Sequence, residues 1–440
     1  MTDLEKQNEL PRGENRIQIA LDTPARRAWA LGGVLFPAII YAAFVGAHFL
    51  AAELSTRPDL ADLQWAARLD PWNGKYEDML GRYHLFADHR PDLALFFLHR
   101  AVALNPRNSR GWLDLAAANF QLNDRNAVGA ALNQAVTVDP KTPNTAWEAA
   151  NADLALGETG HALPLFRTVM EGDPSLQAAA LDYCWRLNPD ATALLRDVIP
   201  PDPEATAGFL RFLAVHKQSS SASAAWNRLV QLQQPIEREH VFNYLQYLIA
   251  QHDFAQAKLV WKQAAALAAL SRYQPSPENL VVNGDFQFAV LNTGFDWRYE
   301  QSPGVALSLD PTQSRSGSRS LEFNFDSRGI EDAGIRQLIP VEPNAEYECS
   351  AYFRTENLHG TGGPRLVIQD FVTGETYYSS DDLKSDLIWS LARGTFAVGP
   401  ETQLVVLRIQ RVPAGAAIRG KLWIDSVRLA PARALAGVRP

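Results

Sequence analysis

The side chains that could act in catalysis do not stand at the spacings that catalysis requires. His84 and His89 are five residues apart, whereas two histidines that bind zinc from one helix lie one turn apart on the same face. Asp381 and Asp382 are adjacent in a polar segment, and such carboxylates are usually solvated rather than placed as the acid and base of a glycosidase. These positions therefore predict neither a metal centre nor a hydrolytic pair.

Two further motifs are incomplete. The glycine-rich loop His359–Pro364 lacks the Lys-Ser/Thr pair of a phosphate-binding loop, and Ser314–Ser320 contains no nucleophile elbow and is expected to be a turn. Cys184 and Cys349 are too few for an all-cysteine zinc site and are expected to be buried free thiols in different domains. We therefore predict that the protein is not an enzyme.

The composition is that of an ordinary folded protein. Of the 440 residues, 47% are hydrophobic and 20% are charged, which suits globular domains rather than disorder. The net charge of -8 is spread along the chain without a basic stripe, so we expect no nucleic-acid partner. The length leaves room for two or more domains.

A regular series of prolines organises the first half of the chain. Pro71, Pro106, Pro140 and Pro174 end similar phrases, such as Leu-Asp-Pro and Leu-Asn-Pro, at intervals of 35, 34 and 34 residues. A sustained period of this length indicates stacked pairs of antiparallel helices. Each proline would end a helix because it has no amide to donate.

The repeat resembles the tetratricopeptide repeat. Trp112 stands six residues after Pro106, where that family places a large aromatic side chain, and small residues such as Ala116 stand where paired helices approach. The resemblance covers about residues 60–173 and continues in degenerate form to residue 272. It implies either a spacer or a concave groove for a protein partner, and we expect a protein partner on the helical repeats.

Helical periodicity continues beyond the last of these prolines. We place the whole solenoid at residues 55–272 and expect the serine-rich segment Ser219–Ser221 to be a loop within it. The helices predicted in this part are Phe209–Val215, Ala224–Leu232, Val241–Ala250 and Phe254–Leu270.

The amino terminus contains an apolar segment long enough to cross a membrane. Residues 1–27 form a polar tail that ends in Arg26 and Arg27. Residues 28–52 carry no charge and would span a hydrocarbon core of about 30 Å as a helix. The paired arginines place the tail in the cytoplasm and the rest of the chain on the exported side.

Two other interpretations of this segment stay open. Val45-Gly46-Ala47 resembles the cleavage site of a signal peptide, and the helix could also be buried in a soluble core. An uncleaved signal anchor fits the long polar tail best. It predicts a single-pass protein of the inner (cytoplasmic) membrane with its body on the periplasmic side of a bacterial envelope.

The pattern of the sequence changes at Tyr273. Residues 273–278 contain two prolines and form a linker, and short alternating segments separated by Gly, Pro, Asn and Asp follow. About nine short strands in residues 279–430 predict a β-sandwich of the jelly-roll kind, with a tail at 431–440. The predicted strands are Leu280–Val282, Val305–Leu309, Ser320–Phe325, Gly334–Val341, Glu346–Glu356, Arg365–Phe371, Ile388–Val398, Gln403–Gln410 and Lys421–Leu429.

The fold class predicted from these segments is multidomain. It comprises an N-terminal transmembrane helix, an all-α tetratricopeptide-like solenoid and an all-β jelly-roll sandwich.

The carboxy-terminal region carries four characteristic blocks. They are Asn279–Phe286 with Gly294–Trp297, Ser316–Leu321, Gln337–Pro343 with Tyr347–Arg354, and Leu422–Leu429. In this order they resemble the jelly-roll carbohydrate-binding modules that are often appended to xylanases. The resemblance covers residues 279–430 and implies binding of polysaccharide.

The resemblance also implies the location of a sugar site. Modules of this family use an exposed sheet face, where aromatic rings stack on sugar rings and amide or guanidinium groups hydrogen-bond the hydroxyls. The candidate ligand-binding residues are Arg336, Tyr352, Gln369, Tyr377, Tyr378 and Trp389.

A structural calcium ion is a further implication of the resemblance, since many members hold one between the first and last strands. Asp425 matches an acidic position of the closing block. Gln287 stands where the family usually has glutamate, which removes one of the charged oxygens that a hard cation prefers. We therefore expect a calcium site at Gln287 and Asp425 in which Gln287 is the weaker ligand.

The modules together predict a membrane-anchored, exported scaffold. Its repeats would recruit a protein partner and its sandwich would bind glycan, in a setting such as cell-surface polysaccharide assembly or export. The alternative is a protein–protein interaction adaptor whose sandwich is a structural module. A wet aromatic strip on one sheet face would favour the first, and an apolar sheet face packed on helices would favour the second.

Overall fold

The computed structural model describes residues 22–57 and 59–432 of the chain. Within these residues fourteen α-helices precede ten β-strands, and the chain divides into two compact units, residues 1–172 and 173–440. The fold is therefore an α-solenoid followed by a β-sandwich, as the sequence predicts. Most of the predicted amino-terminal tail, and residues 433–440 of the carboxy-terminal one, lie outside the described residues.

Helix α1 (Pro24–Leu54) contains the predicted apolar segment. Its 31 residues begin after the cap Thr23, and Pro37 lies inside the helix without ending it. Large apolar side chains are exposed along most of its length, whereas Ala51 near its end is fully buried. By length and composition α1 can cross a bilayer, although a signal sequence near the amino terminus would share that property.

The helices of the first unit follow the proline series. Three successive pairs, α3 with α4, α5 with α6 and α7 with α8, pack against each other. Their bounds are α2 (Leu60–Leu69), α3 (Gly74–Phe86), α4 (Pro91–Leu104), α5 (Ser109–Gln121), α6 (Arg125–Val138), α7 (Pro143–Leu156) and α8 (Thr159–Gly172). The four prolines of the series each lie two residues beyond the end of a helix, which accounts for the period.

Small residues let the paired helices approach. Gly81 of α3 faces Leu98 of α4, and a Cβ placed on Gly81 would lie 2.5 Å from Leu98 Cγ. Leu98 is fully buried in the core that the helices share with Leu85 and Ala118. A larger residue at position 81 would therefore force the first pair apart.

Two buried aspartates lie on neighbouring helices of the first unit. Asp78 of α3 and Asp114 of α5 are almost completely buried. Arg110 donates two hydrogen bonds to Asp114, of 3.1 and 2.9 Å, and two more to Glu148 of α7; Arg82 Nε lies 3.7 Å from Asp114 Oδ2. Burial, with the repulsion of Asp114, raises the pKa of Asp78 to about 6, against the attraction of the two arginines.

We expect Asp78→Asn to stabilise the repeats at pH 7 and to lose this effect at lower pH. The folded-state pKa of about 6 lies above the ordinary 3.8, so the Asp78 contribution to stability is greatest below pH 3.8 and is lost as the pH rises through 6. The gain at pH 7 should be about 1–3 kcal/mol. Urea unfolding of both proteins, followed by helical circular dichroism at pH 7 and pH 5, measures the difference. An equal gain at both pH values would contradict this account.

The second unit begins with six more helices. They are α9 (Gln177–Leu187), α10 (Ala191–Asp197), α11 (Pro203–Val215), α12 (Ser219–Leu232), α13 (Arg238–Ala250) and α14 (Phe254–Leu267). The loop predicted at Ser219–Ser221 is wrong, because these serines form the first turn of α12. Serine is tolerated in the first turn of a helix, and the apolar side chains that follow, such as Ala225 and Trp226, are buried along one face of α12.

The sandwich consists of two five-stranded antiparallel sheets. In chain order the strands are β1 (Arg298–Tyr299), β2 (Val305–Asp310), β3 (Ser320–Gly329), β4 (Asp332–Pro340), β5 (Glu346–His359), β6 (Gly363–Asp370), β7 (Thr376–Ser379), β8 (Ser390–Ala397), β9 (Leu404–Val412) and β10 (Ala417–Pro431). The first sheet has the order β1-β4-β9-β6-β7 and the second the order β2-β3-β10-β5-β8.

Eight of the nine predicted strands are confirmed, and Leu280–Val282 is wrong. That segment forms no strand because its amides bond irregular partners. Leu280 N donates to Leu429 O, and Val282 is held by the buried side-chain amide of Gln337 at 2.9 and 2.8 Å. Strands β1 and β7 are two and four residues long, too short to show an alternating pattern.

The core lies between the two sheets. It contains aromatic side chains such as Phe286, Trp297 and Phe323 together with Cys349, whose thiol is free. Burial raises the pKa of Cys349, and that of Cys184 in α9, to about 12. Both predicted buried free thiols are therefore confirmed, and neither is poised for thiolate chemistry.

Helix α14 contacts the sandwich directly. The ring of Trp261 lies 5.8 Å from that of Phe295, and its Nε1 donates to Tyr273 O at 2.9 Å. Gly294, at φ +63°, accommodates the indole, since a Cβ there would lie 2.4 Å from Trp261 Cζ3. Within this unit the last helix and the sandwich thus share an ordered junction.

Candidate functional site

The six candidate sugar-binding residues do not share one surface. Arg336 lies on β4 and Gln369 on β6, both in the first sheet, and Tyr377 with Tyr378 forms part of its edge strand β7. The other two belong to the second sheet. Tyr352 is on β5 and Trp389 immediately precedes β8.

Tyr377 and Tyr378 are engaged in packing. Their rings stack on Phe396 with centroid distances of 6.4 and 6.2 Å, and the Tyr377 hydroxyl lies 2.6 Å from Thr402 Oγ1. Burial raises the pKa of Tyr378 to about 12. Both rings therefore help to hold the edge of the sandwich together.

Arg336 and Gln369 are engaged in polar contacts along the first sheet. Arg336 pairs with Glu300, the residue that follows β1. The Gln369 side chain donates to Thr376 Oγ1 at 3.0 Å and accepts from Arg408. A glycan binding here would have to replace hydrogen bonds that the protein already makes.

The outer face of the second sheet brings the remaining two candidates together. Tyr352 faces outward because its neighbours Ala351 and Phe353 enter the core, and it lies directly opposite Leu391 of β8. Trp389 is half-buried and immediately precedes β8, two residues before Leu391. We infer that it shares this face, because it continues the alternation of β8 by one residue. Tyr352, Trp389 and Leu391 form one strip at the solvent side of the sheet, here called the aromatic strip.

The loop between β2 and β3 lies over one side of the aromatic strip. The guanidinium of Arg315 stacks on the Tyr352 ring, with Cζ 4.6 Å from its centroid. Arg354, next to the strip on β5, donates to Gln313 at 2.8 Å and lies over the ring of Trp423. Trp423 is buried, but beneath these side chains on the outer face rather than between the sheets. Guanidinium groups therefore border the aromatic strip.

The other side of the strip is an apolar loop. Ile388 is 69% exposed and Leu391 is 48% exposed, while Leu387 has a φ of +59°, which is unusual for a bulky residue. The loop is nevertheless fixed, because Leu387 N and Ser385 N donate to the backbone and side chain of Thr355 at 2.9 and 3.0 Å. An ordered apolar surface at an exposed edge is a common property of binding sites.

A polar cleft of about 820 Å³ continues the same face toward the other end of β5. Register pairs Ser350, two residues from Tyr352, with Arg393 on one side and Arg428 on the other. The hydrogen bond that Arg393 donates to the Glu348 carboxylate raises the pKa of Arg393 above its ordinary value. The cleft is lined by Pro277, Glu278, Glu346, Glu348, Arg393, Thr395, Arg428, Ala430, Pro431 and Ala432.

This face can stack an apolar ring surface and donate several hydrogen bonds beside it. Residue type predicts Tyr352 and Trp389 as ligand-binding residues but does not predict Arg315, Arg354 or Leu391. Strand alternation could have added Arg354 and Leu391, each two residues from a candidate. Arg315 reaches the face only through the fold of its loop, for which the sequence carries no signal.

The two residues expected to hold calcium are already saturated by protein groups. Asp425 is fully buried and accepts from Arg315 N, Ser316 N and Ser426 N at 2.6, 2.8 and 2.5 Å, with Ser316 Oγ as a further donor at 3.1 Å. A calcium ligand needs oxygen lone pairs turned to the ion, and here they are turned to N–H and O–H donors. Asp425 therefore does not fit a calcium site.

The Gln287 side chain links backbone groups of this loop, here called the Gln287 clasp, by donating to carbonyl oxygens that a bound cation would otherwise contact. Its Nε2 donates to the carbonyls of Asp285 and Arg319 at 2.6 and 3.2 Å, and its Oε1 accepts from Ser318 N at 2.8 Å. Arg319 in turn donates to Phe286 O at 2.7 Å. Among the described residues no group of three or more His, Cys, Asp or Glu side chains could hold a metal. The arrangement gathers carbonyl oxygens with an amide and a guanidinium, without requiring calcium.

We expect EDTA to leave the thermal unfolding of the sandwich unchanged, because N–H and O–H donors of the protein already bond the oxygens that calcium would bind. The matched variant is Gln287→Glu, whose carboxylate cannot donate to the two carbonyls. It should lower the free energy of unfolding by about 1–3 kcal/mol. Differential scanning calorimetry with EDTA and with added calcium measures both effects. A wild-type melting temperature that falls in EDTA would contradict the clasp.

Comparison with known proteins gives only distant likenesses. No family model and no curated protein matches the chain. Among solved structures, a CBM4 structure is 14% identical over 34% of this chain and 99% of its own, with a TM-score of 0.27. The CBM22-1 xylan-binding domain of Xyn10C from Paenibacillus barcinonensis is 16% identical over 34% of this chain and 91% of its own, with a TM-score of 0.25.

The structure of the protein MamA is similarly distant from this chain. It is 17% identical over 33% of this chain and 81% of its own, with a TM-score of 0.28. At such scores none of these structures establishes the fold or the ligand of this chain. The fold follows instead from its own helix pairing and strand order.

Proposed function

We propose that the protein is a membrane-anchored scaffold whose sandwich binds a polysaccharide on the outer face of the second sheet. The observation that carries this proposal is the aromatic strip, in which Tyr352, Trp389 and Leu391 lie beside the guanidinium groups of Arg315 and Arg354. Sugar rings present an apolar face to aromatic side chains and hydroxyls to charged hydrogen-bond donors. The strip supplies both kinds of contact on one face of the sandwich.

The polar cleft beside the strip extends the surface along the strands. A polysaccharide chain is long, so a face with further hydrogen-bonding groups gives it more than one point of contact. The pairing of Glu348 with Arg393 leaves the cleft with both donors and acceptors, which suits neutral hydroxyl groups. We propose binding without catalysis, because the Glu348 carboxylate of this cleft is paired with Arg393 rather than free to act as an acid or base.

The helical repeats and α1 complete the proposed scaffold. Stacked helix pairs offer an extended surface for a protein partner, and α1 would anchor the chain in the inner membrane with its body on the periplasmic side. From this combination of modules we propose a setting in cell-surface polysaccharide assembly or export.

A glycan-array screen of the full chain in lipid nanodiscs tests the proposal. We expect selective binding to a subset of polysaccharides, and the same binding when calcium is replaced by EDTA. The double variant Tyr352→Ala/Trp389→Ala is the matched control and should bind none of them. Wild-type protein that is folded and yet binds no glycan would contradict the proposal.

A second candidate function is supported by the junction with α14, in which the sandwich would serve as a structural module. Leu338, Leu404 and Val406 of the first sheet are nearly completely buried outside the core between the sheets. The ring centroid of Phe254 in α14 lies 5.8 Å from that of Phe371. Phe371 N in turn donates to Leu404 O at the start of β9. If the glycan screen is negative, this adaptor becomes the better account.

A further inference from the structure

The carboxyl end of α1 packs against α2 and α3, the latter being the first helix of the first repeat (α3 with α4). Ala51 is fully buried in a cluster with Ala66 of α2 and Tyr76 of α3. Nδ1 of His48 lies 2.8 Å from Oδ2 of Asp70 at the end of α2. The last two turns of α1 are therefore packed against the helices that follow it.

Helix α2 runs back along α1 toward the apolar part of that helix. Only five residues separate Leu54 from Leu60 in the sequence. Asp70, at the far end of α2, contacts His48, which lies about two helical turns before the end of α1. The two helices are therefore antiparallel. The turn that follows Asp70 is held at this level, because Asn73 Nδ2 donates to Asp70 Oδ2 at 3.0 Å.

The exposed apolar surface of α1 ends at the same level. Large apolar side chains are exposed from Trp29 to Leu50, a length of about 32 Å along the helix. This matches a hydrocarbon core of about 30 Å. In a membrane, one boundary of the core would lie next to His48, and the turn after α2 would lie at the lipid headgroups.

The side chains exposed at this edge are aromatic and cationic. Trp72 is 83% exposed and borders a cleft of about 360 Å³ with Pro71 and Arg100. The nearby acids are buried, since Asp70 bonds His48 and Glu77 pairs with Arg100 at 3.1 Å. Tryptophan is enriched at membrane interfaces, and arginine is attracted to anionic headgroups.

The geometry points to a lipid-binding edge on the first repeat, in which Trp72 and Arg100 contact the headgroup region of the bilayer. This inference rests on the proposed membrane anchor. It adds that the repeats are held against the membrane in one orientation, with the proline-containing turns of the first two repeats toward the lipid. Gly74 supports this arrangement, because a Cβ there would lie 2.8 Å from Ala101 O, which places the two turns side by side.

Site-specific fluorescence in nanodiscs tests the inference with the full chain. Three single variants, Trp72→Cys, Leu122→Cys and Ile40→Cys, are labelled with an environment-sensitive fluorophore; the native cysteines are buried, and labelled wild type serves as the blank. The discs contain phosphatidylcholine and phosphatidylglycerol, with a nitroxide either on the headgroup or near the end of the acyl chain. Leu122 is the matched control, because it is an exposed apolar residue at the other end of α5, about 20 Å along the helix from the proline-containing turn.

We expect the Trp72 label to shift its emission to shorter wavelength and to be quenched by the headgroup nitroxide, and the Leu122 label to show neither effect. The Ile40 label should be quenched by the acyl-chain nitroxide. If Ile40 is quenched and Trp72 behaves like Leu122, the lipid-binding edge is refuted while the anchor stands. If Ile40 is not quenched, the anchor itself fails and the inference fails with it.

Discussion

Asp425→Ala is expected to lower the free energy of unfolding of the sandwich by about 3–5 kcal/mol. The Asp425 carboxylate is fully buried and accepts from the amides of Arg315, Ser316 and Ser426. Alanine would leave these donors without their acceptor, and each unsatisfied buried group costs about 1–3 kcal/mol. Chemical denaturation followed by tryptophan fluorescence measures the loss, since Trp423 lies on the same face.

A matched control separates this effect from a general loss of charge. Glu300→Ala removes a carboxylate of the same sandwich that is 71% exposed, and it should change stability by less than about 0.5 kcal/mol. Asp425→Asn keeps one acceptor oxygen and should fall between the two. If Asp425→Ala is as harmless as Glu300→Ala, the loop between β2 and β3 is not held by Asp425.

Trp389→Ala is expected to weaken glycan binding about tenfold or more, with no loss of stability. Stacking on an aromatic ring contributes on the order of 1.4 kcal/mol, which corresponds to a tenfold change in affinity. The Trp389 side chain is partly exposed and precedes β8, so its removal does not open the core. Isothermal titration calorimetry with a polysaccharide selected on the array measures the change.

Arg336→Ala provides the control for this prediction. Arg336 was an equal candidate from the sequence, yet it lies on the first sheet and pairs with Glu300. It should leave the affinity within about twofold of wild type, a change of only some 0.4 kcal/mol. The reverse result, with Arg336 essential and Trp389 dispensable, would move the site to the other sheet.

The fold could be predicted wherever a sequence pattern has a single structural cause. The proline period marks the ends of α2, α4, α6 and α8, because each helix stops two residues before a residue that cannot donate its amide. Alternation found the long strands for a similar reason. One error falls where a side chain replaces the backbone pattern, since the Gln337 amide holds Leu280–Val282 outside the sheets. The other falls at the serines expected to form a loop, which begin α12.

The site could be predicted only in part. Tyr352 and Trp389 were found by residue type, but residue type alone could not separate them from Tyr377 and Tyr378, which stack on Phe396. The difference depends on which strand pairs with which, and long-range pairing is not written in local spacing. The same holds for Asp425, whose role in fixing the loop depends on a turn more than a hundred residues away.

Hydroxyl-radical footprinting of the full chain, with and without the polysaccharide selected on the array, tests the central claim most directly. The account predicts that the glycan protects Trp389, Tyr352 and Leu391 from oxidation, while the exposed Tyr299 on the first sheet is oxidised equally in both states. Protection of the first sheet or the helical repeats, with the aromatic strip unchanged, would contradict it.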